Sequence, residues 1–170
     1  MKKGGGRIKG RTFELQIARQ ISDHCCIEFG RQIRRTPNSG ALTTRSDLWV
    51  GINQRHKFSY FIEMKSYADS KWHLESIGNK KFPPRIWFEE ALTKLPLDPD
   101  YVPESPVLLV FKKNAGDVFV MLRRDVLMSQ WASTKNRLSF YLEDNINDVF
   151  IMKWNEFLDI YVPKGNVDAN

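Results

Sequence analysis

Cysteine is scarce in this 170-residue chain, which has two, Cys25 and Cys26, next to each other. Neighbouring Cα atoms sit about 3.8 Å apart, short of the roughly 4.4–6.8 Å that a relaxed disulfide spans. The pair therefore reads as reduced thiols, and the compartment as a reducing, cytoplasmic one. Histidine is nearly as rare. His24, His56 and His73 share no ligand spacing, so the donors of a structural zinc site are missing. Long apolar runs are absent too, none approaching the roughly 18 residues of a membrane span. The basic N-terminus, Met-Lys-Lys-Gly-Gly-Gly-Arg, lacks the apolar stretch that completes a signal peptide. Secretion and a membrane partner are accordingly not expected. Gly5, Gly10, Arg11 and Thr12 approach the spacing of a nucleotide-binding P-loop, but arginine stands where the phosphate-binding lysine belongs and no strand precedes it.

Apolar residues make up 42% of the chain and charged residues 27%, and eleven Phe, five Trp and five Tyr suffice for one packed domain. Acidic residues are sparse in the first quarter. Residues 1–45 hold ten Lys/Arg against three Asp/Glu, and residues 46–170 hold sixteen against seventeen. The net charge of +6 therefore belongs to the N-terminal quarter. Lys2, Lys3, Arg7, Lys9 and Arg11 carry part of it on a Gly-rich arm, and Arg31, Arg34, Arg35 and Arg45 form a second cluster. Such clustering suits a polyanion, nucleic acid first among them; the alternative is a solubilising tail with scattered surface arginines. Gly4, Gly5 and Gly6 make residues 1–10 a flexible arm ahead of a single domain over 11–170. Within that domain the catalytic core is expected over 11–122 and a C-terminal extension over 123–170.

Phe13, Ile17, Ala18 and Ile21 recur at helical spacing, which predicts an amphipathic helix from Thr12 to about His24 with Glu14 in its first turn. A strand within 28–35 ends at the turn signal Thr36-Pro37-Asn38-Ser39-Gly40. Ser46–Ile52 and Phe58–Lys65 both alternate at period two. In the second, Phe58, Tyr60, Ile62 and Met64 share one face, while Phe61, Glu63 and Lys65 share the other. Pro83 and Pro84 open a helix to about Leu95, with Trp87, Phe88 and Ala91 apolar and Glu89 and Glu90 on a solvated face. A hairpin of Val107–Lys112 and Val118–Leu122 follows, then a short helix over Asp125–Trp131. Strands over Leu138–Leu142 and Val149–Lys153 and a helix over Trp154–Ile160 complete one mixed α/β domain, with helices against a central sheet.

The segment 46–65 carries the chemistry. If Asn53–Lys57 is a hairpin loop, Ile52 faces Phe58 and Asp47 faces Glu63, with Cβ atoms about 4.5–5.5 Å apart and Lys65 as a diagonal neighbour. Two opposed carboxylates repel unless positive charge lies between them. A hard divalent cation supplies it, and magnesium, with manganese as a substitute, accepts such oxygen ligands. Held by Asp47 and Glu63, the ion would activate a water and polarise a phosphate, with Lys65 orienting or helping to deprotonate that water. Glu14 is a further candidate ligand, direct or through water. The alternative is a plain ion pair of Glu63 and Lys65 on a solvated strand, with Asp47 flanking a turn.

Four features in order carry a resemblance: Glu14 on a first helix, Arg-Arg-Thr-Pro-Asn-Ser-Gly over 34–40, Ser46-Asp47-Leu48, and Ile62-Glu63-Met64-Lys65-Ser66. This order resembles the PD-(D/E)xK nuclease superfamily, and within it the small Holliday junction resolvases of archaea and the related phage-type endonucleases. Ser46 stands where the superfamily's name has proline. The resemblance implies a restriction-endonuclease-like α/β core, a central mixed sheet flanked by helices. It implies magnesium on Asp47, Glu63 and Glu14, Lys65 assisting the attacking water, and Ser39 and Gly40 in a loop near the DNA. It also implies a homodimer cutting two strands of a branched, four-way DNA junction. Two other functions are compatible with the same residues: a metal-dependent nuclease on linear or nicked duplex, and a non-catalytic DNA-binding module that keeps the carboxylates as an ion-pair cluster.

Overall fold

The computed structural model describes residues 5–37, 45–67, 73, 76, 79, 81–98, 105–113, 116–131, 141–144 and 148–161, excluding the side chains of 5–7, 128–131 and 141–144. The expected stripe of Phe13, Ile17, Ala18 and Ile21 is buried, and it builds helix α1 over Gly5–Cys25. The helix thus reaches back over residues 5–10, which the glycines had suggested as part of a flexible arm. Once a buried stripe has nucleated a helix, each added residue gains a backbone hydrogen bond, and that gain carries it across weak helix formers. Thr12 Oγ1 also donates to the Ile8 carbonyl at 3.0 Å. Glu14 therefore lies well inside the helix rather than in its first turn, and the P-loop-like glycine spacing is absorbed into helical backbone.

Strands β1 (Ile33–Arg35) and β2 (Leu48–Val50) pair antiparallel as a separate two-stranded ribbon, with Arg34 opposite Trp49 and Arg35 opposite Leu48. A five-stranded sheet follows, built from β3 (Phe61–Tyr67), β4 (Val107–Lys113), β5 (Val118–Arg123), β6 (Tyr141–Asp144) and β7 (Val149–Lys153). Its spatial order is β3-β4-β5-β7-β6. β3 and β4 run parallel, and the other neighbours are antiparallel. Helix α2 (Pro83–Lys94) lies between β3 and β4 in sequence, as a parallel crossover requires.

The period-two patterns sort the side chains onto two faces. Ile62, Met64, Leu108, Val110, Val120 and Leu122 pack with Phe13, Ile17 and Ile21 of α1 and with Trp154 and Phe157 of helix α4 (Trp154–Ile160). Phe61, Leu109, Phe111, Met121 and Ile151 point the other way, onto Phe82, Phe88 and Ala91 at α2. The expected helices against a central mixed sheet are present. The C-terminal segment also acquires a role. β6 and β7 extend the sheet, and Trp154 Nε1 donates to Gln20 Oε1 at 3.0 Å, tying α4 to α1. Helix α3 (Arg124–Trp131) leads out of β5. Cys25 is buried and Cys26 exposed, both as free thiols.

The expected hairpin over 46–65 is not formed. Gly51 is followed by a 3-10 turn over Ile52–Gln54, closed by hydrogen bonds from Gln54 N–H to Gly51 and from Lys57 N–H to Gln54. Asn53–Lys57 lacks the glycine of a tight strand-reversing turn, and each strand has a better partner elsewhere. β2 takes β1, while β3 takes β4, a pairing that buries β3 on both faces. The strand expected over Leu138–Leu142 is shifted to Tyr141–Asp144, and 132–140 lie outside the described residues.

Candidate active site

β3 is an edge strand, so its outward backbone groups are open to another segment. The chain around Asp47 fills that role. Asp47 N–H donates to the Ile62 carbonyl at 2.8 Å, and Asp47 Oδ2 accepts Met64 N–H at 2.6 Å. Ser46 Oγ accepts Ile62 N–H at 3.0 Å, and the buried Asp98 accepts Ser46 N–H at 2.8 Å. On the other side, Thr36 N–H donates to the Asp47 carbonyl at 2.9 Å. Asp47 is therefore held between Ile62 and Met64, alongside Glu63. The neighbourhood expected of the hairpin is reached by edge docking instead.

Glu63 is buried, and its Oε1 accepts two ammonium groups, Lys65 Nζ at 2.5 Å and Lys94 Nζ at 3.0 Å. Two charge-assisted hydrogen bonds are what an ionised carboxylate needs away from water. Among the described residues no ammonium group bonds to Asp47, which lies beside Glu63 without a charge partner of its own. Burial first, then the negative charge of Glu63 and more weakly that of Glu14, push its carboxyl up to about 7, against the Met64 hydrogen bond and the charge of Lys65. Burial works against the Lys65 ammonium, yet the charge of Glu63, the hydrogen bond to it, and the charges of Asp47 and Glu90 together hold its proton more firmly than usual. Glu14 faces the same cluster from α1 and is ion-paired with Arg35 Nε from β1.

These positions bear on what the site can hold. Among the described residues, no three acid, histidine or cysteine side chains are gathered closely enough to cage an ion by themselves. Asp47 and Glu63 set two buried carboxylates side by side at the sheet edge, and these, with water and substrate oxygens, would make up the ligands of a magnesium site. Their donor chemistry fits that ion. Glu14 is engaged by Arg35 and adds its negative charge to the surroundings of Asp47.

Of the residues expected at nucleic acid, Lys9, Arg11, Arg34, Arg35 and Arg45 have described side chains. Arg34 lies over the Trp49 ring at 4.6 Å and is exposed; Arg35 is half-buried against Glu14. Arg45 is half-buried in a cavity of about 50 Å³ that Ser46, Trp49, Arg55 and Asp98 also line. Lys9 and Arg11 are exposed on α1. Lys2, Lys3, Ser39, Gly40 and the Arg7 side chain lie outside the described residues. His24, set aside as structural, has its Nε2 2.7 Å from the Tyr161 carbonyl, which suits that view.

Two residues at the site were not anticipated. Lys94 falls on the inward stripe of α2, three residues after the buried Ala91, and a lysine in an apolar stripe is the signal that could have found it. Asp98 follows the 3-10 turn Leu95–Leu97, and its link to Ser46 spans more than fifty positions, beyond any local pattern.

Residues 5–164 match the model of a family described as "Phage putative PDDEXK endonuclease". No curated protein and no solved structure matches the chain. Among the described residues no helix is long and apolar enough to cross a membrane.

Proposed function

The chain belongs to the phage PDDEXK endonuclease family, and on that footing we propose that it is a magnesium-dependent endonuclease hydrolysing DNA phosphodiester bonds at the Asp47, Glu63 and Lys65 cluster. The observation that carries the reading is the pair of buried carboxylates at the edge of β3, one of them with its proton affinity raised by burial and then by the charge of the other. Two carboxylates crowded together in a buried place are costly as pure architecture and useful as a cation site.

Asp47 and Glu63 would hold the ion. When bound, magnesium makes a water nucleophilic near neutral pH and polarises the phosphate. The chain's own groups supply the rest. Met64 N–H fixes which way Asp47 presents its second oxygen. Lys65, beside Glu63 and Asp47, would orient the attacking water and offset charge on the phosphate. Arg35 keeps the Glu14 carboxylate neutralised while leaving it beside the cluster. Arg34 on β1, pre-ordered on Trp49 two residues after Asp47, would meet the DNA backbone.

Branched DNA, above all a four-way junction cut by a homodimer, is the substrate we favour; the likeness of the motif order to junction resolvases supports it. A junction is recognised through shape and phosphates, which suits a basic surface. The test is cleavage of a labelled four-way junction beside an equal-length linear duplex, with magnesium and with chelator. Symmetric nicks confined to the junction are expected. Equal cutting of both would retain the nuclease and remove the junction preference, and no cutting by a folded, DNA-binding protein would leave a binding module.

A further inference from the structure

A magnesium nuclease site of this kind uses Lys65 and leaves Lys94 without a task. Yet Lys94 reaches the same oxygen, Glu63 Oε1, from a different element, at the last residue of α2. The Glu63 side chain is 5% exposed and Lys94 23%, so this is not a solvated surface pair of negligible worth. The packing of Phe88 and Ala91 against the sheet fixes the end of α2 over β3 and so aims Lys94 inward. Lys65 sits two residues from Glu63 on one strand, and the pleat keeps the two together. Lys94 is bound to the site by its flexible stem alone.

A divalent ion bound to Asp47 and Glu63 needs the Glu63 carboxylate. Lys94 offers a positive charge at that oxygen already, so ion and ammonium compete for it and repel each other at close range. We propose that Lys94 is a placeholder cation: it neutralises Glu63 while the site is ion-free, yields that oxygen to the incoming ion, and thereby sets the ion concentration at which the enzyme loads. The proposal rests on the reading of Asp47 and Glu63 as the ion-holding pair. It makes Lys94 a positioning residue acting through Glu63. Its presence allows the two carboxylates to fold side by side before loading, in exchange for weaker ion binding.

The experiment is a magnesium titration of the full-length protein, without DNA, read by thermal unfolding at pH 8, and repeated with manganese. Lys94→Met removes the charge while keeping length and helix propensity. The ion-free Lys94→Met protein is expected to melt lower than wild type, and its ion midpoint to fall by about tenfold. Lys94→Arg is expected to restore the wild-type midpoint, which a merely structural loss of the stem would not explain. Lys94→Gln repeats the test should the methionine variant fail to fold, and must move the midpoint the same way. An unchanged midpoint in a protein that still responds to magnesium would overturn the placeholder role and leave the site standing. A higher midpoint would overturn it too, because Lys94 would then be supporting ion binding. Absence of any magnesium or manganese response in wild type would overturn the ion site itself, and a response that persists in Glu63→Gln would overturn the placeholder role, because the ion would then not pass through Glu63.

Discussion

Asp47 Oδ2 accepts the backbone N–H of Met64 at 2.6 Å, so the loop before β2 is fastened to the free edge of β3 one residue away from Glu63. The bond places two carboxylates beside each other and shields one from water. Burial, then the charge of Glu63 and more weakly that of Glu14, raise the proton affinity of Asp47, and the Met64 hydrogen bond lowers it.

Asp47→Asn separates those terms. Asparagine can still accept from Met64 N–H, so the fold is expected to persist, while cleavage is lost. The carboxyl of the folded protein titrates at about 7, above its ordinary 3.8, so the folded state holds the proton more tightly than the unfolded chain. That contribution is complete below about pH 4 and is lost as pH rises through 7. In chelator, the asparagine protein should therefore melt several degrees above wild type at pH 8, on the order of a few kcal/mol, and the gap should close toward pH 4. Magnesium should raise the wild-type melting temperature at pH 8 and leave that of Asp47→Asn unchanged. A wild-type protein as stable at pH 8 as at pH 5 would refute this account of the charge at Asp47.

Lys65→Ala removes a donor from the reacting centre and leaves the carboxylates in place. Single-turnover cleavage at saturating protein is expected to fall by about 10²–10³-fold, with DNA affinity measured in calcium close to wild type. Lys65→Arg should recover little, because the bulky fork cannot reproduce a point donor 2.5 Å from Glu63 Oε1. Cutting by Lys65→Ala at the wild-type rate would mean the site is misassigned.

The route to these residues explains what could be read from the sequence. The alternation over Phe58–Lys65 sorts Tyr60, Ile62 and Met64 from Phe61 and Glu63 without knowledge of any partner, since period two is a property of the strand alone. The closeness of Asp47 to Glu63 was expected from a hairpin that does not form; it survives because Asp47 bonds Ile62 and Met64, the residues flanking Glu63. The parallel pairing of β3 with β4 is not legible locally, because α2 intervenes and only burial on both faces selects it. Lys94 and Asp98 belong to the same class. Each reaches the site across the crossover, Lys94 to Glu63 and Asp98 to Ser46. The start of α1 at Gly5 runs against glycine's local preference and reflects cooperative extension from the buried stripe.

The ion pair of Glu14 with Arg35 gives a coupled prediction. Both side chains are largely shielded, 14% and 28% exposed, so Arg35→Ala leaves a half-buried carboxylate without its arginine beside Asp47. A loss of roughly 1–3 kcal/mol is expected in urea unfolding, less than for a fully buried pair. The added negative charge should also move the acidic limb of the cleavage profile to higher pH. Glu14→Gln combined with Arg35→Ala should recover part of both effects, and the double-mutant cycle measures the coupling. Additive single effects would show that the pair is incidental.

Arg34 and Trp49 make the last case, since their stacking separates charge from order. Arg34→Ala removes one phosphate-directed cation, so DNA affinity should fall and the slope of log affinity against log salt should flatten by about one. Trp49→Leu keeps the cation but removes the ring that lies 4.6 Å beneath its guanidinium. Affinity should then fall by a smaller factor while the salt slope stays near wild type, because the same number of counterions is released. Fluorescence anisotropy on a four-way junction between about 50 and 200 mM salt distinguishes the two variants. If Trp49→Leu flattens the slope as much as Arg34→Ala does, the ring is needed for the contact itself and not only for its preorganisation. If neither variant changes affinity, the β1–β2 ribbon faces away from the DNA, and the phosphate contacts belong to Lys9 and Arg11 on α1.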